Sequence, residues 1–121
     1  MDLRYLKELN LNGNLLREGG AKMIGKLKLN WLEKLNISRN SIGNKGVKYL
    51  CQAQWPNFKK IIANYVDITP ACFRYFSKME GKNGTVEVVA TLKRVTCDML
   101  NRLPLLNVIK ARIIWEADDS E

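Results

Sequence analysis

The chain has 121 residues, of which 46% are hydrophobic and 26% are charged. This hydrophobic content is sufficient for the core of one folded domain and is higher than that of disordered chains. It contains no histidine, which excludes every mechanism that needs an imidazole as general base, nucleophile or metal ligand. Four of the twelve acidic residues lie in 116–121, so residues 1–115 carry twenty basic and eight acidic side chains, a formal charge of +12. Such a basic body is typical of proteins that bind nucleic acid, an acidic protein or a large assembly.

The cysteines and the N-terminal sequence indicate the compartment. Cys51, Cys72 and Cys97 are odd in number and form no CxxC pair, which favours reduced, buried thiols over a disulfide framework. The start MDLRYLKELN is charged where a signal peptide is apolar, and no stretch approaches the roughly 18 apolar residues of a membrane span. We therefore expect an intracellular protein with no membrane insertion.

A repeat organises the chain from its first residues. The segment LKELNLNGNLLREGGAKMI (residues 6–24) aligns with LEKLNISRNSIGNKGVKYL (residues 32–50) at an offset of 26. The matched pairs are all like for like in chemistry. They are Leu6/Leu32, Leu9/Leu35, Leu11/Ile37, Asn14/Asn40, Leu16/Ile42, Gly20/Gly46 and Ile24/Leu50.

Two further units and a last strand follow with weaker motifs. The same offset reaches Phe58, Ile61, Ala63, Ile68 and Phe76, and a step of 27 then reaches Val88, Ala90, Val95, Met99 and Leu103. The segment LLNVIKARIIWE restarts the strand pattern. We predict a repeat domain over residues 1–115, with units at about 3–28, 29–54, 55–81 and 82–104 and a capping strand at 105–115, before an acidic flexible tail at 116–121.

Within each unit the apolar spacing changes from alternate residues to a helical period, which predicts a short strand followed by a helix. Thr69 before Pro70 suits a helix start, since threonine caps exposed amides and proline is tolerated at the first helical position. One strand and one helix cannot bury their own apolar faces, so the units must stack. The predicted fold class is an α/β solenoid with a parallel inner sheet and outer helices.

The pattern LxxLxLxxNxLxxxGxxxI of residues 6–24 resembles the leucine-rich repeat family, specifically its ribonuclease-inhibitor-like branch. The later units, with ITPACFRYF and VTCDMLNRL, drift toward the cysteine-containing branch found beside F-boxes. The resemblance implies a horseshoe-shaped solenoid whose concave sheet surface binds other proteins. It covers roughly residues 3–115.

The resemblance also implies structural roles for the motif residues. Asn14 and Asn40 are expected to turn inward and bond backbone groups as the chain leaves each strand, whereas Gly20 and Gly46 are expected where helices pack too closely for a side chain. Val66 and Lys93 take the asparagine position in the later units, and Cys72 and Met99 the glycine position. Those later turns should therefore differ in shape.

Residues that alternate with the buried strand positions should point out of the concave face. The expected partner-binding set is Lys34, Asn36 and Ser38; Lys60, Ile62 and Asn64; Glu87, Val89 and Thr91; and Lys110 and Arg112, with Glu8, Asn10, Asn12 and Val108 in equivalent positions. Ile62 and Val89 would form an apolar strip rimmed by cations, as in the centre and rim of a protein interface. The alternative is that the last strands are covered by the chain's own tail or by a neighbouring subunit.

These observations favour a non-catalytic protein-interaction or scaffold module, a subunit of a larger assembly whose protein partner is acidic or part of a multi-subunit complex. We expect no enzyme activity, no cofactor and no metal. One alternative is a basic subunit associated with RNA or ribonucleoprotein, through Lys22, Lys26, Lys28, Lys45 and Lys48 on the helical side. Another is the substrate-recognition part of a ubiquitin ligase, suggested by the cysteine-like drift of the later repeats.

Overall fold

The computed structural model describes residues 3–76, 78, 86–92 and, for the backbone, 111–115. Strands and helices alternate along the chain, as the change in apolar period predicts. The elements are β1 (Glu8–Asn10), α1 (Glu18–Gly25), β2 (Lys34–Asn36), α2 (Gly43–Cys51), β3 (Lys60–Ile68), a 3₁₀ helix (Pro70–Cys72) that continues as α3 (Phe73–Phe76), β4 (Glu87–Leu92) and β5 (Ala111–Trp115). The predicted helix of the fourth unit lies outside the described residues.

The strands form one parallel sheet in the order β1-β2-β3-β4-β5. Leu9 lies beside Leu35, Leu35 beside Ile61 and Ile61 beside Val88, so neighbouring strands are in register at the offsets of the sequence repeat. Val88 in turn lies beside Ala111 of the last strand. The predicted α/β solenoid with a parallel inner sheet and outer helices is confirmed.

The core lies between the sheet and the helices. Leu35 and Ile37 of the second unit are completely buried, whereas their counterparts Leu9 and Leu11 in the first unit are half-buried. The difference arises because β1 is the edge strand, so the first unit packs against a neighbour on one side only in the described part of the chain. Apolar burial is the main force that holds such an array together.

The helices approach one another closely at glycine. A Cβ on Gly46 would collide with Cγ2 of Ile42 and lie 3.3 Å from Cβ of Ala21 in the first unit. A Cβ on Gly25 would lie 2.6 Å from the carbonyl oxygen of Tyr49, a close approach that the motif does not single out. The third unit places Cys72 at the equivalent of Gly46, fully buried, in a 3₁₀ helix instead of an α-helix.

The third turn departs from the first two. Val66, which replaces the motif asparagine, is completely buried, and β3 continues through it for nine residues where β1 and β2 have three. The register between β3 and β4 shifts between Ala63 and Ile68. Tyr65, with φ 58°, nevertheless keeps the positive φ of its counterparts Gly13 and Arg39, so the third turn differs from the first two in strand length and register.

Candidate functional site on the concave sheet face

The face of the sheet that points away from the helices, here called the concave face, carries three rows of side chains. The charged row is Glu8, Lys34, Lys60 and Glu87, and the central row is Asn10, Asn36, Ile62 and Val89, both in strand register. The backbone of Arg112 on β5 is in register with Val89. The polar row, two residues further along the chain from the central row, is Asn12, Ser38, Asn64 and Thr91. These rows contain the partner-binding set expected from the sequence, except for Lys110, which lies outside the described residues, and Arg112, which is described by its backbone alone.

The charged row is electrically balanced. Nζ of Lys34 lies 4.0 Å from a carboxylate oxygen of Glu8, and Nζ of Lys60 lies 3.6 Å from one of Glu87. Exposed pairs of this kind contribute little to stability, about 0–1 kcal/mol each. They cancel the local charge. Of the cationic rim expected from Lys60, Lys110 and Arg112, Lys60 is the member whose side chain the structure describes, and Glu87 pairs with it.

The polar row is tied together by hydrogen bonds. The backbone N–H of Asn64 donates to Oγ of Ser38 at 3.0 Å, and Oγ1 of Thr91 donates to Oδ1 of Asn64 at 3.1 Å. Ser38 and Thr91 are each only 6% exposed. Their hydroxyl groups are engaged by neighbouring strands, so both residues offer little exposed surface, and their place in the partner-binding set stays a prediction.

The central row holds the apolar strip. Ile62 and Val89 lie side by side in register on β3 and β4, and both side chains are half-buried on the face away from the core. Asn36 is in register with Ile62 on the other side, and its Oδ1 accepts a hydrogen bond from the backbone N–H of Ser38 at 3.0 Å. Arg112 is in register with Val89 and is described by its backbone only. Two β-branched side chains therefore adjoin an amide ladder.

Asn40 has the inward role that the resemblance implied, and Asn14 does not. Oδ1 of Asn40 accepts from the backbone N–H groups of Asn14 and Leu16, and its Nδ2 donates to three carbonyl oxygens in the first two units. Asn14 is exposed, and its Nδ2 donates only to the carbonyl of Asn12 at 3.3 Å. The difference follows from position, since a motif asparagine reaches back to the preceding turn and Asn14 has no such turn before it among the described residues.

The buried aromatic and thiol groups have packing roles. The indole Nε1 of Trp55 donates to the carbonyl of Leu27 at 3.0 Å from within the core, whereas Trp31 is 47% exposed. Burial raises the pKa of the Cys72 thiol to about 12, against the smaller lowering effect of a hydrogen bond to the backbone. A thiol with so high a pKa is a poor nucleophile at neutral pH.

Neither a metal centre nor a membrane helix is found in the described ranges. There is no group of three or more Cys, Asp or Glu side chains that could hold a metal ion in residues 3–76 and 86–92. Every helix within those ranges falls short of the length and apolar character needed to cross a bilayer.

Comparison with known protein families agrees with this geometry. A leucine-rich repeat family model matches residues 2–25 and 28–51, which are the first two units. Leucine-rich repeat domains generally mediate protein–protein interactions and are typically non-catalytic. A search of curated proteins gives no match to this chain.

Proposed function

We propose that this leucine-rich repeat solenoid is a non-catalytic protein-binding module whose partner packs on the central row of the concave face. The observation that supports the proposal is the in-register pair Ile62 and Val89. β-Branched apolar side chains on the solvent side of a sheet gain free energy when a partner covers them, about 25 cal/mol per Å² of apolar area removed from water. An apolar centre beside amide groups is the composition of a protein interface.

The rows around the strip define the chemistry of that partner. Because Glu8 neutralises Lys34 and Glu87 neutralises Lys60, the charged row attracts acidic and basic groups about equally. Asn36 of the central row and Asn64 of the polar row offer amide groups that can both donate and accept. We infer that the segment bound here is apolar at its centre and uncharged and hydrogen-bonding at its rim.

Three further features support proposals about the compartment, the branch of the repeat family and membership of an assembly. Cys51 and Cys72 are buried thiols, which supports an intracellular protein. The asparagine and glycine spacing of the first two units supports the ribonuclease-inhibitor-like branch. The half-buried apolar positions of the first unit support membership of a larger assembly, since a neighbouring protein could cover them.

The test compares partner recovery by variants of the full chain. Affinity purification with mass spectrometry first identifies the proteins that the wild type retains. The double variant Ile62→Asp, Val89→Asp should then lose the partner, because two carboxylates would have to be buried without a compensating charge. The milder pair Ile62→Thr, Val89→Thr keeps β-branching and should weaken recovery with less effect on folding.

The matched control also adds two carboxylates at exposed apolar positions away from the concave face. Leu15→Asp, Met23→Asp alters side chains that are 89% and 71% exposed and should leave recovery unchanged. Thermal melting monitored by circular dichroism establishes that all variants are folded. Undiminished recovery by both the folded Asp and the folded Thr variant would show that the partner uses another surface.

A further inference from the structure

One position of the repeat takes a positive φ in each of the first three units. The residue there is Gly13 in the first unit, Arg39 in the second and Tyr65 in the third, with φ values of 69°, 58° and 58°. Glycine adopts a positive φ without steric cost, whereas residues with a bulky side chain rarely do. Arginine and tyrosine are therefore held in a backbone conformation that a glycine would fit better.

The first unit shows that the fold does not need a side chain at this position. A Cβ built on Gly13 would have no atom within 4 Å, so the position opens to solvent. Arg39 and Tyr65 are both exposed, Tyr65 at 50%. The backbone alone connects the second unit to the third here, since the N–H of Arg39 donates to the carbonyl of Asn64 at 2.8 Å. The fold thus accounts for the backbone conformation and not for the choice of arginine.

Both residues lie at the border of the concave face. Arg39 directly follows Ser38 of the polar row, and Tyr65 directly follows Asn64. The hydrogen bond between Arg39 and Asn64 places the two positions side by side on neighbouring units, about 5 Å apart as in adjacent strands. Tyr65 is three residues beyond Ile62, which corresponds to roughly 10 Å along a strand. We call Arg39 and Tyr65 the Arg–Tyr border.

Arg39 presents a guanidinium group that no side chain of the structure's described residues neutralises. The lysines of the charged row pair with Glu8 and Glu87, but Arg39 forms no such pair in those residues, not even with the exposed Asp67 two positions beyond Tyr65. A guanidinium group binds a carboxylate through two parallel hydrogen bonds. Arginine and tyrosine are also enriched among the residues that dominate the binding energy of protein interfaces.

We propose that the Arg–Tyr border binds an acidic residue of the protein segment that covers Ile62 and Val89, with the ring of Tyr65 packed beside it. The inference rests on the function proposed above and adds a charged residue of the partner beyond the polar row. An extended chain advances at most about 3.3–3.6 Å per residue. The acidic residue should therefore lie three or four positions from the apolar residue that covers Ile62.

The alternative is that the side chains at this position have no binding role. Leu15 in the first turn also has a positive φ, 55°, and is 89% exposed, so the turns tolerate such residues. The two explanations are separable at Arg39, because a glycine there removes the guanidinium group and relieves the backbone strain. A binding role predicts a variant that is as stable as the wild type and binds more weakly.

The test selects binders from a phage-displayed library of random linear peptides, with the full chain as bait. The baits are the wild type, Arg39→Gly and the pair Ile62→Thr, Val89→Thr. The matched control bait is Lys28→Gly, which also replaces one exposed cation by glycine. Lys28 lies in the segment before β2, whereas Arg39 follows β2, and Lys28 is outside the left-handed region. Thermal melting measures the stability of each bait.

We expect peptides selected by the wild type to carry Asp or Glu three or four positions from a large apolar residue. In fluorescence anisotropy, a selected peptide should bind Arg39→Gly at least about tenfold more weakly than the wild type and Lys28→Gly within about threefold. Tyr65→Asn, in which asparagine tolerates a positive φ, should also bind more weakly. Arg39→Gly should melt no lower than the wild type, whereas Lys28→Gly should melt slightly lower because glycine gains entropy in the unfolded chain.

The outcomes distinguish this inference from the proposed function. Selected peptides without an acidic preference, or equal affinity for the wild type and Arg39→Gly, would overturn the inference and leave the proposed function in place. Full affinity for Ile62→Thr, Val89→Thr would overturn the proposed function and the inference with it. Selection of no peptide would overturn the assignment of a linear acidic segment. A lower melting temperature of Arg39→Gly together with weaker binding would assign Arg39 to the fold and overturn its binding role.

Discussion

The amide side chain of Asn40 forms hydrogen bonds with backbone groups in two successive turns. It accepts two N–H groups and donates to the carbonyls of Leu11, Ile37 and Ser38 at 2.8–3.1 Å. A buried donor or acceptor that loses its partner costs about 1–3 kcal/mol, so the network exceeds a single hydrogen bond in importance. The residue acts on the fold and lies away from the exposed central row.

We predict that Asn40→Ala lowers the free energy of unfolding by about 2–4 kcal/mol, because several backbone groups would be left unsatisfied in the sheet edge. Urea unfolding followed by the fluorescence of the buried Trp55 measures this loss. The matched control is Asn14→Ala, which removes an exposed amide and should change stability by less than about 0.5 kcal/mol. Equal losses in the two variants would show that the inward network contributes little.

The same pair of residues shows how far a motif predicts the role of a side chain. Asn14 and Asn40 stand in identical sequence patterns, yet only Asn40 is buried, because only Asn40 follows another turn among the described residues. Strand alternation likewise placed Ser38 correctly on the concave face. Its side chain is nevertheless buried there, where its hydroxyl oxygen accepts a hydrogen bond from the next strand. Such contacts depend on neighbours 26 residues away and are not visible in the local pattern.

At the scale of the element, helix packing is set by Gly46. Its Cα faces Ile42 of its own unit and Ala21 of the first unit. A methyl group there would overlap Cγ2 of Ile42 and lie in tight contact, at 3.3 Å, with Cβ of Ala21. Gly19 in α1 has no atom within 4 Å of an added Cβ. The two glycines therefore respond in opposite directions to the same substitution.

We predict that Gly46→Ala destabilises the protein by about 1–3 kcal/mol through overpacking, whereas Gly19→Ala stabilises it by up to about 1 kcal/mol, since alanine favours a helix interior more than glycine does. Thermal melts of the two single variants would measure both signs. A rise in melting temperature for Gly46→Ala would mean that α1 and α2 move apart at no cost.

The strands and helices of the first two units were predictable because strand alternation and helical period agree with the motif in both. The third unit was predictable only in part. Thr69 accepts a hydrogen bond from the N–H of Ala71 and begins a helical segment at Pro70, as expected. The replacement of asparagine by Val66 indicated a different turn, but the extension of β3 and its register shift depend on pairing with β4, which no local pattern encodes.

At the scale of the whole molecule, the two faces of the solenoid differ in charge. On the concave face Lys34 and Lys60 pair with glutamates, whereas Lys22, Lys26 and Lys48 are exposed on the helical side. Net charge was predictable from composition, but its separation between the faces was not, because ion pairs across strands form between residues about 26 positions apart.

Burial is also uneven along the array, which leads to a prediction about local stability. Leu9, Leu11 and Leu16 of the first unit are half-buried, whereas their counterparts Leu35, Ile37 and Ile42 in the second unit are completely buried. In a solenoid, stability is a sum of unit and interface contributions, so an edge unit opens more readily. We predict that backbone amides of α1 exchange hydrogen faster than those of α2, as measured by hydrogen–deuterium exchange mass spectrometry. Equal protection of the two helices would contradict this gradient.

Because Asn40 bonds to the turn before it, each turn of the array is completed by residues that are synthesised after it. The acceptor for the backbone N–H of Asn14 is Oδ1 of Asn40, which is synthesised 26 residues later. On the ribosome, the first turn thus cannot complete its hydrogen bonds until the second has emerged from the exit tunnel. Nascent chains released before that point would hold an open first turn, prone to capture by chaperones.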